Sequence, residues 1–159
     1  MSEKVLEFIT RRRSIRKFTG DPVPRKVLIA IRKAAMAAPS ANNARPWQFL
    51  VVTDRAKIAA ICRAHPYVGF SVDAGAVIIP FGKKEGYNWF DQDMAAANLG
   101  LGATWCGLID DRETAFHSAA GPPNGVFGFA LVPIGIPAEG QPPRTQYGKR
   151  RIHWETCKP

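Results

Sequence analysis

The sequence predicts a single layered α+β or α/β domain, and three observations carry that expectation. The length is 159 residues, enough for one domain with a substantial core. Helical and strand-like segments then interleave along the chain with no repeat, no heptad run and no linker between them. Finally, 46% hydrophobic, 10% aromatic and 22% charged residues are the proportions of a globular protein, which excludes disordered, collagenous and low-complexity classes.

Taken in order, Val5, Leu6, Phe8 and Ile9 recur at helical spacing. Asp21, Pro22 and Pro24 read as a turn into a second helix from Arg25 to about Ala37, which Pro39 ends. PSANNARP is a turn-rich loop, and WQFLVVT after it is a short strand of aromatic and β-branched residues. Asp54 is placed as the N-cap of a helix over residues 55–64, which gives way to a loop at His65, Pro66 and Tyr67. GAVIIPF is apolar on both faces, as a central strand requires. A helix through DQDMAAAN, a strand over 104–109, a helix over 111–120 and a last strand in FGFALVPIGI complete the order. About four strands make a small sheet, and a helix as apolar as VLIAIRKAAMAA asks for a covering surface, so a homodimer is expected.

The 22 Lys and Arg against 13 Asp and Glu give a net charge of +9, which points to an anionic partner. The charge is concentrated at the ends. Residues 1–33 hold ten basic and three acidic side chains, residues 141–159 hold five and one, and the middle holds seven and nine. Two basic ends suit a fold in which both termini bring cations to a shared anion site; a nucleic-acid-coating protein more often spreads its charge along one face, and no nucleic-acid-binding motif is present.

The chemistry-bearing segments are few. RRRSIRKF sets Arg12 and Arg16 four apart with Ser14 between them, offering guanidinium and hydroxyl donors suited to phosphate, or else a basic helix end that complements the helix dipole. PSANNARPWQF places amide and hydroxyl groups in a loop, for the edge of a planar heterocycle or for their own backbone. NLGLGATWCGLI has glycines leading from a helix into a strand, the reverse of the dinucleotide fingerprint, although Gly107 beside Cys106 would let a ring approach the backbone. His65, His117 and His153 lack metal-ligand spacing, so no metal is expected. Three cysteines without a CxxC pair indicate neither a disulfide framework nor a zinc ribbon, and a reducing cytoplasm is the expected setting. The N-terminal segment has its arginines after the apolar stretch, unlike a secretion signal, and no run is apolar enough to span a membrane. With no acid–base or nucleophile constellation visible, any chemistry falls to a bound cofactor.

In sequence order RRRSIRKF, PSANNARPWQFLVV, DxxxAAAN before GLGATWCGL, then ALVPIGIPAEGQPPR and a basic HWE tail together resemble the FMN-dependent nitroreductase family over nearly the whole chain. The resemblance implies a homodimeric α+β sandwich around a small central mixed or antiparallel sheet, one domain over residues 1–159, with FMN held between two copies. It implies that Arg12, Arg13 and Ser14 hold the phosphate and ribityl end, that Arg16 sits at the N1/O2 edge, and that Ser40, Ala41 and Asn42 reach in from the partner subunit. It further places the backbone of Cys106, Gly107 and Leu108 near N5, and Arg144, with Lys149 or Arg151, on the phosphate from the C-terminal side. The implied activity moves hydride from NAD(P)H to a nitroaromatic, a quinone or a similar electron-poor acceptor in ping-pong fashion. Two positions depart from the pattern. The family helix runs about two turns beyond DxxxAAxxN, whereas Asn98 meets Leu99 and Gly100 at once, which keeps open a flavin- or nucleotide-binding module without turnover. Arg45 stands where Gln often precedes Pro-Trp.

Overall fold

The computed structural model describes residues 7, 10, 13–37, 43, 45, 47–83, 102–104, 106–108, 116, 118–122, 124–128, 130–140, 142 and 148–152. The predicted helix through DQDMAAAN lies outside these residues, as do Arg12, Ser40, Ala41, Asn42 and Arg144. Of the helix predicted over 111–120, residues 116 and 118–120 are described, and they are helical.

Helix α1 spans Arg25–Ala35 and buries Leu28, Ile31 and Ala35, one stripe at helical spacing. Its chain runs on only as a turn at Met36 and Ala37, so the helix ends two residues before the expected point. Arg32 and Lys33 occupy its last turn, where positive charge meets the exposed carbonyls. Helix α2 spans Arg55–Ala64 and starts as the sequence indicates: the Asp54 carboxylate accepts the Lys57 N–H at 2.8 Å. Ile58, Ile61 and Cys62 form its buried stripe. A short 3₁₀ segment, Gly69–Asp73, follows.

The strands are β1 (Gln48–Val52), β2 (Ala76–Lys83), β3 (Gly102–Ala103), β4 (Cys106–Gly107), β5 (Val126–Gly128) and β6 (Ala130–Gly135). β2 is central, as its two apolar faces indicate: β1 pairs along one edge, while β6 and then β5 pair along the other. Every strand pairing among the described residues is antiparallel, so the sheet resolves to the antiparallel alternative. A strand buried on both faces usually belongs to a parallel sheet. Here it arises because each face of the antiparallel sheet is covered. Along β2, Val77, Ile79 and Phe81 join a cluster with Ile58, Ile61 and Phe116, whereas Ala76 and Ile78 join Leu28 and Ile31 of α1. The period-two alternation sorts one strand between two helical layers.

Of the strand expected over 104–109, Cys106 and Gly107 form β4; β3 and β4 each pair with β6, and Thr104 between them donates its hydroxyl to the Ile15 carbonyl at 2.6 Å. In FGFALVPIGI the described residues through Gly135 are strand, β5 and β6, which take successive stretches of β2, residues 81–83 and 76–78. Pro80 lies at the step between these two ladders, and Pro133 lies in the interval of β6 between its pairings with β4 and β3. A residue without an N–H is tolerated at such breaks in a ladder.

Residues 13–19 form an extended strap across the end of the sheet. Phe18 bridges Pro137, the Thr19 N–H donates to the Ile136 carbonyl at 3.0 Å, and the Ala138 N–H donates to the Lys17 carbonyl at 2.9 Å. Beneath it Phe18 packs with Ile15, Ala74 and Phe70. Gly135 is required here, since a Cβ at that position would lie 2.7 Å from the Phe18 ring.

Candidate functional site

The strap carries the basic motif into the fold. The Glu139 carboxylate accepts the backbone N–H of Arg16 at 2.7 Å and of Lys17 at 3.2 Å. Arg13 joins three segments: its Nη1 donates to the Thr10 carbonyl at 3.4 Å and its Nε to the Pro142 carbonyl at 2.8 Å. Arg13 therefore ties the N-terminal segment to the C-terminal one. Arg16 is on extended chain rather than on a helix, so the four-residue spacing from Arg12 does not set a shared helical face.

Beside the strap is a cleft of about 300 Å³, lined by Arg16, His65, Tyr67, Phe70, Thr104, Cys106 and Gly107. Four elements converge on it: the strap, the loop after α2, the 3₁₀ segment and the β3–β4 region. The exposed Arg16 guanidinium stands 6.0 Å from the centre of the Phe70 ring. Thr104 is buried and holds the strap through Ile15, next to Arg16 in sequence. His65 is buried, with Nε2 3.0 Å from the Gly107 carbonyl oxygen, while Nδ1 accepts the Tyr67 N–H at 3.2 Å. The Tyr67 ring meets the imidazole edge-on at 6.1 Å and is itself exposed.

Cys106 lines the cleft but is not built as a nucleophile. Burial pushes its thiol above the usual range, and the opposing pull of Arg16 is smaller. Burial also raises the Cys62 thiol, with Arg63 opposing and Cys106 adding to the rise. Chemistry in this cleft therefore depends on what it binds. A lining of one guanidinium, the Gly107 backbone and two aromatic side chains suits a planar, partly anionic heterocycle, and flavin is such a ring.

Of the residues expected at the site, Arg16, Cys106 and Gly107 come together around this cleft. Arg13 and Ser14 lie on the strap, both half-buried. Leu108 follows β4 with its side chain in the core beside Phe116 and Phe81, so only its backbone is available to a ligand. Lys149 and Arg151 form a 3₁₀ turn. In the PSANNARPW loop Asn43 and Arg45 adopt left-handed backbone, with φ of 54° and 46°, and the Arg45 Nε donates to the Asn43 side-chain oxygen at 2.9 Å. Asn tolerates this region and Arg seldom enters it. His65, Tyr67, Phe70 and Thr104 complete the lining without having been singled out by sequence.

Comparison with known proteins agrees with this geometry. The nitroreductase family profile matches residues 9–69, a stretch running from the strap through α1, β1 and α2 to the His65 loop. A protein of Methanothermobacter thermautotrophicus, provisionally named NADH dehydrogenase/NAD(P)H nitroreductase, is 37% identical over 165 residues, covering 95% of this chain and 86% of its own. The chain belongs to the nitroreductase family. The fold agrees over its full extent. A Bacteroides thetaiotaomicron protein of the same provisional name superposes with a TM-score of 0.91 at 28% identity, covering 99% of this chain and all of its own. A provisionally named nitroreductase from Desulfovibrio desulfuricans, crystallised in complex with FMN, superposes with a TM-score of 0.81 at 26% identity, both chains covered completely. The chain is thus a member of an oxidoreductase family. Among the described residues, no helix is long and apolar enough to cross a membrane.

Proposed function

We propose that this nitroreductase-family chain binds FMN and catalyses hydride transfer from NAD(P)H to an electron-poor acceptor, a nitroaromatic or a quinone, as a homodimer of single-domain subunits spanning residues 1–159. One observation carries the proposal most directly: the cleft sets the Arg16 guanidinium, the Gly107 backbone and the Phe70 and Tyr67 rings around a single space beside the seam of the N- and C-terminal segments. When bound, FMN supplies the hydride-accepting and hydride-donating centre.

The chain's own residues hold and bias that ring. Arg16 offers positive charge toward an edge that becomes anionic on reduction, which favours the reduced form. The Cys106, Gly107 and Leu108 backbone offers hydrogen bonds at the opposite part of the ring, where Gly107 permits close approach. Arg12, Arg13 and Ser14, with Arg144 and with Lys149 or Arg151 from the other end, form the phosphate cradle, and the Arg13–Pro142 bond supports that meeting of ends. Ser40, Ala41 and Asn42 extend toward the partner's site. Ile29 on α1 and Met36 just past its end are exposed, the kind of apolar surface that association of two copies covers. The two substrates use one open face in turn, which is the ping-pong order.

The deciding experiment is the absorption spectrum of the purified protein, alone and with added FMN, followed anaerobically on addition of NADH or NADPH. Flavin bands that bleach with the nucleotide are expected, and addition of a quinone should restore them. Flavin bands that do not bleach would replace this function with that of a flavin-binding module, and absence of flavin binding would end the proposal.

A further inference from the structure

His65 stands at the end of α2 with both ring nitrogens engaged. Because Nδ1 accepts the Tyr67 N–H, it carries no proton, and the ring proton is on Nε2, directed at the Gly107 carbonyl oxygen 3.0 Å away. The bond spans 42 positions of sequence and meets β4, which pairs with β6 through the register Gly107 to Ala130. Gly107 has no side chain to steady its own peptide planes, so restraint must come from outside. An extended residue turns its N–H and its C=O toward the same edge. Holding the Gly107 carbonyl therefore fixes the direction of the Gly107 N–H as well, at the border of the cleft that both residues line. The imidazole cannot easily give way, for it is only 3% exposed.

We infer that His65 is a positioning residue: through the Gly107 carbonyl, it aims a backbone donor of β4 at the ring that occupies the cleft. The inference rests on the flavin-binding function proposed above, and it adds a residue outside the motifs that suggested that function. His65 touches no reacting atom. Its contribution is to keep a glycine edge in one orientation, so that the ring binds against a preset donor rather than ordering one on arrival.

The test begins with the FMN-free wild-type protein, in which long-range proton–nitrogen NMR of the imidazole should show the Nε2–H tautomer. FMN affinity by fluorescence titration and the midpoint potential of the bound flavin are then measured for His65→Phe, His65→Gln and His65→Asn, with thermal melts as the folding control. The phenylalanine ring fills the space without a donor, so FMN binding should weaken about tenfold, the scale of one buried carbonyl left unpaired, and the potential should shift. The longer amide of Gln reaches toward Gly107 and should recover most of both losses; Asn is too short and should not. If the Phe variant fails to fold, the contrast between Gln and Asn decides. An Nδ1–H tautomer, a folded Phe variant with wild-type affinity and potential, or equal behaviour of Gln and Asn would overturn the inference while leaving the flavin function intact. A wild-type protein without affinity for FMN would overturn both.

Discussion

Replacing Thr104 with Val tests whether the strap is fastened from the sheet. The substitution keeps the shape of the side chain and removes the hydroxyl that donates to the Ile15 carbonyl at 2.6 Å inside the protein, where Thr104 is 6% exposed. A buried carbonyl left without its donor costs about 1–3 kcal/mol, and the added methyl returns up to about 0.8 kcal/mol of apolar burial. The net expectation is a loss of about 1–2 kcal/mol. The strap keeps its other ties, at Thr19, Ala138 and Glu139, so the loss should be partly local, loosening Ile15 and Arg16 before the helical layers. Urea denaturation measures the global part, amide exchange of residues 13–19 measures the local part, and FMN titration should show affinity reduced by up to about tenfold. Thr104→Ser retains the donor and should stay near wild type. A valine variant equal to wild type in stability and strap exchange would refute the claim that this bond holds the strap.

Three further outcomes are expected. Arg16→Ala should weaken FMN binding by roughly 1.5–3 kcal/mol, the scale of a hydrogen bond to a charged group, and lower the potential of the bound flavin; unchanged titration and potential would remove Arg16 from the ring's edge. Asp54→Ala should destabilise the protein by about 1 kcal/mol through loss of the α2 cap while Asp54→Ser largely preserves it, as read from denaturation midpoints. The Cys62 and Cys106 thiols lie above their ordinary value of 9.0 in the folded chain. Unfolding therefore favours their ionised form: stability from this source is full below pH 9 and falls as the pH rises through the folded values, measurable as a declining melting temperature accompanied by rising reactivity of Cys106 toward iodoacetamide.

The elements legible in the sequence are those specified by neighbouring residues. Asp54 sets its cap with Lys57, three positions away, and α1 shows its buried stripe in its own spacing. The unbroken apolar run of β2 gave a central strand, but its neighbours' direction depends on β1, β5 and β6 and is not written in the run itself. The tie from Thr104 to the strap was hidden for the same reason, because its acceptor is a carbonyl 89 positions earlier. At the site, the cationic and glycine-rich segments stood out by composition. His65 did not: with no metal-ligand spacing it looked unremarkable, and its importance lies in an acceptor 42 positions away. A histidine at an expected helix end followed by Pro66 and an aromatic residue was the available signal.

The joining of Arg13 to Pro142 across 129 positions has a consequence for how the protein is made. During synthesis the first cationic segment emerges early and can meet Phe70, Ala74 and Thr104, but its ties to residues 136–142 wait until that stretch has left the ribosome. Both hydrophobic layers can condense around β2 before then, whereas the junction of the strap with the C-terminal segment must wait for this late closure between distant parts of the chain. A chain truncated before residue 136 would retain most of its interior yet lack that junction altogether.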